Sequence, residues 1–335
     1  MLTHVGDLHP VAVIGDQCFT GLRDVTSDLA ALDGGGLWVV VARFEGEVTC
    51  ARFERMVSPP RAWPAWRGPA RSAWTSSLDR DAYGKGVVAI REAIAAGDVY
   101  EVNLCRVLSA VAGVDADVVG LGGALRAENP APYGAVVRVP GVQLASASPE
   151  LFLRRDRAIV ESRPIKGTAP SGSAFSAKDR AENVMIVDLV RNDLGRVCEY
   201  GSVEVPALCA VEEHPGLDHL VSTVRGRLCD DVGWAELLDA TFPPGSVTGA
   251  PKLAALDTIR NLEPVRRGPY CGTVGWVDAD RHRGELNVAI RTFWLEEGRL
   301  HFGTGGAVTW DSTPEGEWSE TELKARRLLG IASRL

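Results

Sequence analysis

The chain is poor in lysine. Only five of its 36 basic residues are lysine (Lys85, Lys166, Lys178, Lys252 and Lys324); the other 31 are arginine. Codon bias explains the imbalance, yet it makes each surviving lysine informative. Arginine serves wherever a cation need only be solvated or paired, so lysine marks places that want a compact amine able to lose its proton. CxxC pairs are absent as well. Seven cysteines, odd in number and scattered at positions 18, 50, 105, 198, 209, 229 and 271, exclude a zinc ribbon and read as buried small hydrophobes in a reducing compartment. No apolar run approaches the roughly 18 residues of a membrane helix. The opening MLTHVGDLHPVAVIGD lacks the basic and apolar regions of an export signal, so the expected location is cytoplasmic. A basic cluster is missing too: 36 basic against 44 acidic residues give a net charge of -8, which argues against nucleic acid or a membrane surface as partner. What is present is ordinary globular composition, 45% hydrophobic and 24% charged over 335 residues, enough for a large core.

Strand-like runs cluster rather than alternate with helices. The first 60 residues hold VAVIGD, LWVVVARFEGE and EVTCARFER, broken by DGGG and EGE. Residues 58–74, SPPRAWPAWRGPARSAW, are rich in proline, tryptophan and arginine without any period and read as a linker. Apolar spacing predicts helices over 83–96 (ending at Gly97), 118–128, 176–194, 233–240, the segment KLAALDTIRNL, and 314–330. Between them lie GAVVRVP, VQLASAS, ELFLRR, AIVESR, YCGTVGWVD, GELNVAIRTFWLEE and RLHFGTGGAVTW. This order favours an α+β layered fold over a doubly wound one.

Two glycine-rich segments fail as nucleotide sites. GSVTGAPK (245–252) has three residues between its glycines where a phosphate loop needs four, and GTGGAV (303–308) runs into WDSTPE rather than a helix. The last helix offers more. Glu317, Glu320 and Lys324 share one face, which is either a solvated ladder or a carboxylate pair for a hard cation beside an anion-binding lysine, with Glu182 as the opposing carboxylate. In RPIKGT, Lys166 stands at a strand–loop junction beside apolar Ile165. Partial desolvation there is expected to lower its pKa and make it nucleophilic. Glu150, in SPE at the end of VQLASAS, is placed for general acid work. His219, by itself, reads as a core histidine.

The segments GDVYEVNLCR (97–106), SPELFL (148–153), RPIKGT (163–168), KDRAENVMIVDLVRNDLGRV (178–197), HLVSTVRG (219–226), FPPGSVTGAPK (242–252), YCGTVGW (270–276), AIRT (289–292) and GGAVTWDSTPEGEWSETELKAR (305–326) together resemble the chorismate-utilising enzymes. The match runs in order from residue 83 to 330. That family includes synthases of anthranilate, aminodeoxychorismate, isochorismate and salicylate. Lys166 stands where most of these branches carry a small residue, and the pattern is that of the branch making 4-amino-4-deoxychorismate for p-aminobenzoate and folate. Where isochorismate and salicylate synthases place a water-activating lysine this chain has Glu101. Amination enzymes more often have glutamine there, and Glu101 receives no role.

The resemblance implies a sandwich of two large antiparallel sheets flanked by helices, with the site in the cleft between them. Residues 1–80 would form a strand-rich N-terminal region and linker packed on the core, and residues 81–335 the chorismate-binding catalytic domain. It implies Mg²⁺ held by Glu182 and Glu320, with Glu317 nearby through water. It implies substrate contacts from Tyr270, Arg291, Lys324 and the backbone of a Gly305–Gly306–Ala307 turn, with Thr168 and Ser246 in the cleft and His219 facing the ring. Lys166 would add to the ring and Glu150 would act as the acid. Chorismate and ammonia are the expected substrates, and a glutamine amidotransferase subunit the expected ammonia source, because no glutaminase nucleophile motif is found among the cysteines. Anthranilate synthase component I is the nearest rival. A non-catalytic chorismate-binding subunit is disfavoured by the complete set of Glu150, Glu182, Glu317 and Glu320. About 80 residues precede the matched block and no LLES-like motif occurs, so tryptophan feedback is not expected.

Overall fold

The computed structural model describes residues 9–170, 172–214 and 217–334. Among these residues are eighteen strands, paired antiparallel, and six α-helices. The strands up to the first helix are β1 (Val11–Ile14), β2 (Gln17–Thr26), β3 (Leu37–Ala42), β4 (Val48–Val57) and the short β5 (Thr75–Ser76). The middle of the chain adds β6 (Glu101–Val111), β7 (Tyr133–Val139), β8 (Val142–Ser148), β9 (Leu151–Asp156), β10 (Ile159–Arg163) and β11 (Ile165–Pro170). Then come β12 (Glu204–His214), β13 (Leu217–Arg227), β14 (Gly249–Ala250), β15 (Thr273–Asp278), β16 (Arg283–Val288), β17 (Thr292–Glu296) and β18 (Arg299–Val308).

The pairings trace two arms. In one, β6 pairs with β18, then β17, β8, β7 and β1 follow in turn, with β5 and β14 also on β6. In the other, β2, β4, β3, β15, β16, β9, β10 and β13 follow one another, and β13 carries both β11 and β12. The hairpin β1–β2 is the one ladder, among the described residues, that joins the arms. Its turn is possible because Gly15 takes φ +54, a conformation that penalises a side chain. The expected two-sheet sandwich is therefore hydrogen-bonded into one continuous sheet. Strands such as β3 and β6 are buried along nearly their whole length, as happens when both faces are covered.

Each predicted helix forms where its signals stand: α1 (Arg80–Ala96), α2 (Val118–Glu128), α3 (Ala177–Gly195), α4 (Trp234–Thr241), α5 (Lys252–Leu262) and α6 (Pro314–Ala332). Asp79 caps α1 through the amide of Ala82, and Gly97, at φ +84, closes it. Ser176 and Asp179 form a capping box on α3, while Thr313 caps α6 with Pro314 at its first position. The tryptophan-rich stretch is irregular yet anchored. Trp66 donates to the carbonyl of Ala332 (3.1 Å) and Trp74 to the hydroxyl of Ser333 (2.9 Å). Trp63 fills the space over Gly123 of α2, where an added Cβ would meet its Cβ at 2.5 Å.

Candidate active site

The chain crosses between the arms several times, and two of these crossings lie between β8 and β9 and between β16 and β17. These crossings run side by side. The amide of Val288 donates to the carbonyl of Glu150 (3.0 Å), the hydroxyl of Ser148 donates to that of Val288 (2.6 Å), and the amide of Ala147 donates to the carbonyl of Arg291 (3.0 Å). Glu150 and Arg291 sit on the two crossings, where backbone leaves the regular ladder; Arg291 is held at φ +53. Glu150 is buried, in the wall of a small cavity lined by Leu151, Phe152, Val190, Leu194, Ser246 and Val288. Burial pushes its carboxyl up to about 7, against the pull of the Ser246 hydroxyl, the Lys166 cation, the Ile165 amide and the Arg291 guanidinium. Arg291 is lowered by its own burial and supported by Glu150. A carboxyl that keeps its proton near neutrality is equipped to protonate a leaving group.

Lys166 reaches from β11 in the second arm across to Glu101 on β6 in the first, with Nζ 2.8 Å from Oε1. Both side chains are buried, Glu101 at 0% exposure. The expected depression of the Lys166 pKa is not found. Burial does pull it down, but Glu101, Glu182 and Glu150 outweigh that and hold the amine above its ordinary value. Among the described residues the other oxygen of Glu101 is buried with no hydrogen-bond partner, and the one further donor to its carboxylate, Asn103 Nδ2, lies 3.4 Å from Oε1. Glu101, which receives no role from the sequence, is thus the direct partner of the candidate nucleophile. Its departure from glutamine was the available signal, but 65 residues separate the pair and no local pattern joins them.

The carboxylates expected to hold a metal face each other from α3 and α6. Glu182, on α3, is raised by burial to about 7 despite the nearby Lys166. Glu317, on α6, is buried; Oε1 accepts from the Ser312 hydroxyl (2.6 Å), while Oε2 is buried without a partner among the described residues. Burial raises Glu317 as well. Glu320 is half exposed; Lys324 at 2.6 Å overcomes the effect of its burial and holds it below its ordinary range. Among the described residues no three acidic, histidine or cysteine side chains already converge on one point as a metal cage. The site nonetheless fits a hard cation that keeps water and substrate oxygens in its shell. The donors are carboxylate oxygens, Glu317 Oε2 is orphaned, and Gly306 leaves open a space whose Cβ position lies 2.8 Å from Glu317 Oε2 and 3.7 Å from Glu320 Oε1.

The remaining sequence-derived residues gather around this cleft with two corrections. Gly305, Gly306 and Ala307 are not a turn: they are strand residues of β18, in register with Cys105, Leu104 and Asn103 of β6. Glycine is required there by close approach, since a Cβ on Gly305 would lie 2.5 Å from the Leu104 carbonyl. Lys324 does not simply extend into the cleft; besides pairing with Glu320 it donates to the Gly305 carbonyl (3.0 Å). Tyr270 is buried, its ring filling the space beside Gly303 and its hydroxyl 4.0 Å from Cys105 Sγ. Ser246 is buried in the short turn Gly245–Val247, whose carbonyl at Ser246 accepts from Asn103 Nδ2 (3.3 Å). His219 is buried on β13, opposite Thr168 of β11. The side chain of Thr168 lies outside the described residues.

The chain is similar to several known proteins. The chain is 36% identical to aminodeoxychorismate synthase component 1 of Escherichia coli, over 87% of this chain and 68% of that protein. It is 40% identical to an anthranilate synthase component 1 of Haloarcula marismortui, over 77% of this chain and 55% of that one. It spans 59% of the corresponding Salmonella typhimurium aminodeoxychorismate synthase component, so it covers little more than half to two thirds of these relatives' lengths. The crystal structure of anthranilate synthase component I from Streptococcus pneumoniae superposes with a TM-score of 0.77 at 25% identity, covering 88% of this chain and 80% of that one. The pattern of the chorismate binding enzymes matches residues 37–330, and with it every strand and helix that carries the cleft; the chain belongs to the chorismate binding enzyme family.

Proposed function

We propose that the chain forms 4-amino-4-deoxychorismate from chorismate and ammonia. The observation that carries this reading is Lys166: a buried primary amine between the arms, electrostatically coupled to a carboxyl whose pKa is raised to about 7. Lys166 first gives up a proton, for which Glu101 is the acceptor within hydrogen-bond reach. Its nitrogen then bonds to ring carbon C2; the ring double bonds shift, the C4–oxygen bond breaks, and the hydroxyl leaves as water with the proton of Glu150. Ammonia attacks C4, the electrons shift back, the C2–nitrogen bond breaks, and Lys166 departs as a free amine. Glu150 recovers its proton from the nitrogen that has been added. Arg291, Tyr270 and Lys324 bind the substrate carboxylates. Mg²⁺ would be held by Glu182 and Glu320 with Glu317 beside them, and would supply positive charge that draws electrons toward the ring carboxylate.

Ammonia comes from a separate glutamine amidotransferase. The test is product identity. With chorismate, Mg²⁺ and an ammonium salt at pH 8, chromatography with mass detection should show 4-amino-4-deoxychorismate, and glutamine alone should give nothing until a glutaminase is added. Anthranilate as the main product would favour the rival reading; isochorismate would exclude both aminations.

A further inference from the structure

The amine of Lys178 lies 3.6 Å from Glu182 Oε1 and 3.9 Å from Glu317 Oε1. It therefore bridges α3 and α6, the two helices whose carboxylates face each other across the cleft. The two glutamates are deep, with side chains 14% and 5% exposed, whereas Lys178 is 40% exposed and enters from the solvent side. We infer that Lys178 is the resident counter-cation of this acidic pair, seated between Glu182 and Glu317 until a divalent cation displaces it. This rests on the assignment of Glu182, Glu317 and Glu320 as the Mg²⁺ site.

Three observations support displacement rather than a permanent lock. Both separations exceed a normal hydrogen bond, so the ammonium is held by charge and not by a directed bond. It leaves Glu317 Oε2 without a partner among the described residues, so the acidic pair is only partly satisfied by its tethered cation. The residue is a lysine in a chain that otherwise uses arginine almost everywhere. A guanidinium would clamp the carboxylates through a rigid fork; an ammonium on a flexible stem can swing into water when a stronger cation arrives. The bridge also gives the unloaded cleft a cation shared by both carboxylates, in addition to the Lys166 charge near Glu182.

The experiment is calorimetric titration of the substrate-free chain with MgCl2, comparing wild type, Lys178→Gln, Lys178→Arg and Glu320→Ala. Removing the competitor should tighten Mg²⁺ binding about three- to tenfold in Lys178→Gln, and the forked cation should weaken it in Lys178→Arg. In parallel, the rate at which an amine-acylating reagent modifies Lys178 in wild type, read by peptide mass mapping, should rise when Mg²⁺ is added. Unchanged or weaker Mg²⁺ binding by Lys178→Gln, or an acylation rate indifferent to Mg²⁺, would overturn the inference. If Glu320→Ala binds Mg²⁺ like wild type, the ion lies elsewhere and the metal assignment itself falls. If Glu320→Ala abolishes binding while Lys178→Gln leaves it unchanged, only the counter-cation role is lost.

Discussion

Glu150→Gln separates catalysis from stability in one substitution. In the folded chain the carboxyl titrates at about 7 instead of 4.5, because burial disfavours its anion. That difference corresponds to about 3 kcal/mol. The sign follows from proton binding: between these values the native state holds a proton that the unfolded chain has released. The native state is thus free of the penalty below pH 4.5, loses stability as pH rises toward 7, and carries the full cost above it. Glutamine is close to isosteric and never charges. At pH 8 the variant should be more stable than wild type by about 2–3 kcal/mol, and at pH 4.5 the two should match. With an unfolding entropy of about 2.1 cal/mol/K per residue, the gain raises the melting temperature by about 3–4 °C in a chain of this size.

The same change removes the acid that protonates the departing hydroxyl, so turnover should fall by about 10²–10⁴. Wild-type kcat/KM for chorismate, measured at constant free ammonia, should decline above pH about 7 as Glu150 ionises. The assay pairs scanning calorimetry at several pH values with product analysis by chromatography. A variant that works within tenfold of wild type would refute the acid role. A melting temperature whose pH dependence matches wild type would refute the burial argument that supports it.

Lys166→Arg should be inactive, because a guanidinium stays protonated at any working pH; Lys166→Ala should lose the 4-amino product while a trace of 2-amino product appears, and a mass shift on the wild-type peptide containing Lys166 should reveal the covalent adduct. Wild-type rates from both variants would show the lysine to be dispensable. Glu101→Gln removes a charge that helps keep Lys166 protonated, so the amine should titrate at lower pH, as followed by NMR of labelled lysine; an unchanged titration would contradict the pairing. Arg267 is buried against Glu263 at 2.6 Å and donates to the carbonyls of Val247 and Asn103. Arg267→Met should therefore destabilise the chain by about 3–5 kcal/mol, since Glu263 is left buried and unpaired; denaturant unfolding within 1 kcal/mol of wild type would be at odds with this.

The helices were legible because their signals are local: Asp79 and Gly97 bracket α1, Ser176 and Asp179 open α3, and Pro314 starts α6. The glutamates of α6 could be placed on one face for the same reason. The charge state of Lys166 could not be read, because its neighbours sit at Glu101, Glu150 and Glu182 on three other elements. Desolvation was visible from apolar neighbours in sequence; the opposing carboxylates, which win, were not. The anchoring points of the tryptophans at 63, 66 and 74 were equally out of reach. Without period they read as a linker, whereas their partners, Gly123, Ala332 and Ser333, lie far along the chain. RLHFGTGGAVTW read as a strand, while the family resemblance implied a turn at Gly305–Ala307; only the facing β6 backbone explains why a strand would need these glycines.

The hairpin of β1 and β2 carries a consequence for anyone shortening this protein. The family pattern begins at Leu37, so a chain trimmed to that point would retain every motif, Lys166 and all its carboxylates included. Yet it would lack Val11–Thr26, the segment that stitches β7 at one border to β4 at the other. Glu101 and Lys166 would then belong to half-sheets tethered only by the crossing segments and by side-chain packing. Such a fragment would pass a motif search and fail as a catalyst, its nucleophile and the proton acceptor beside it drifting out of register.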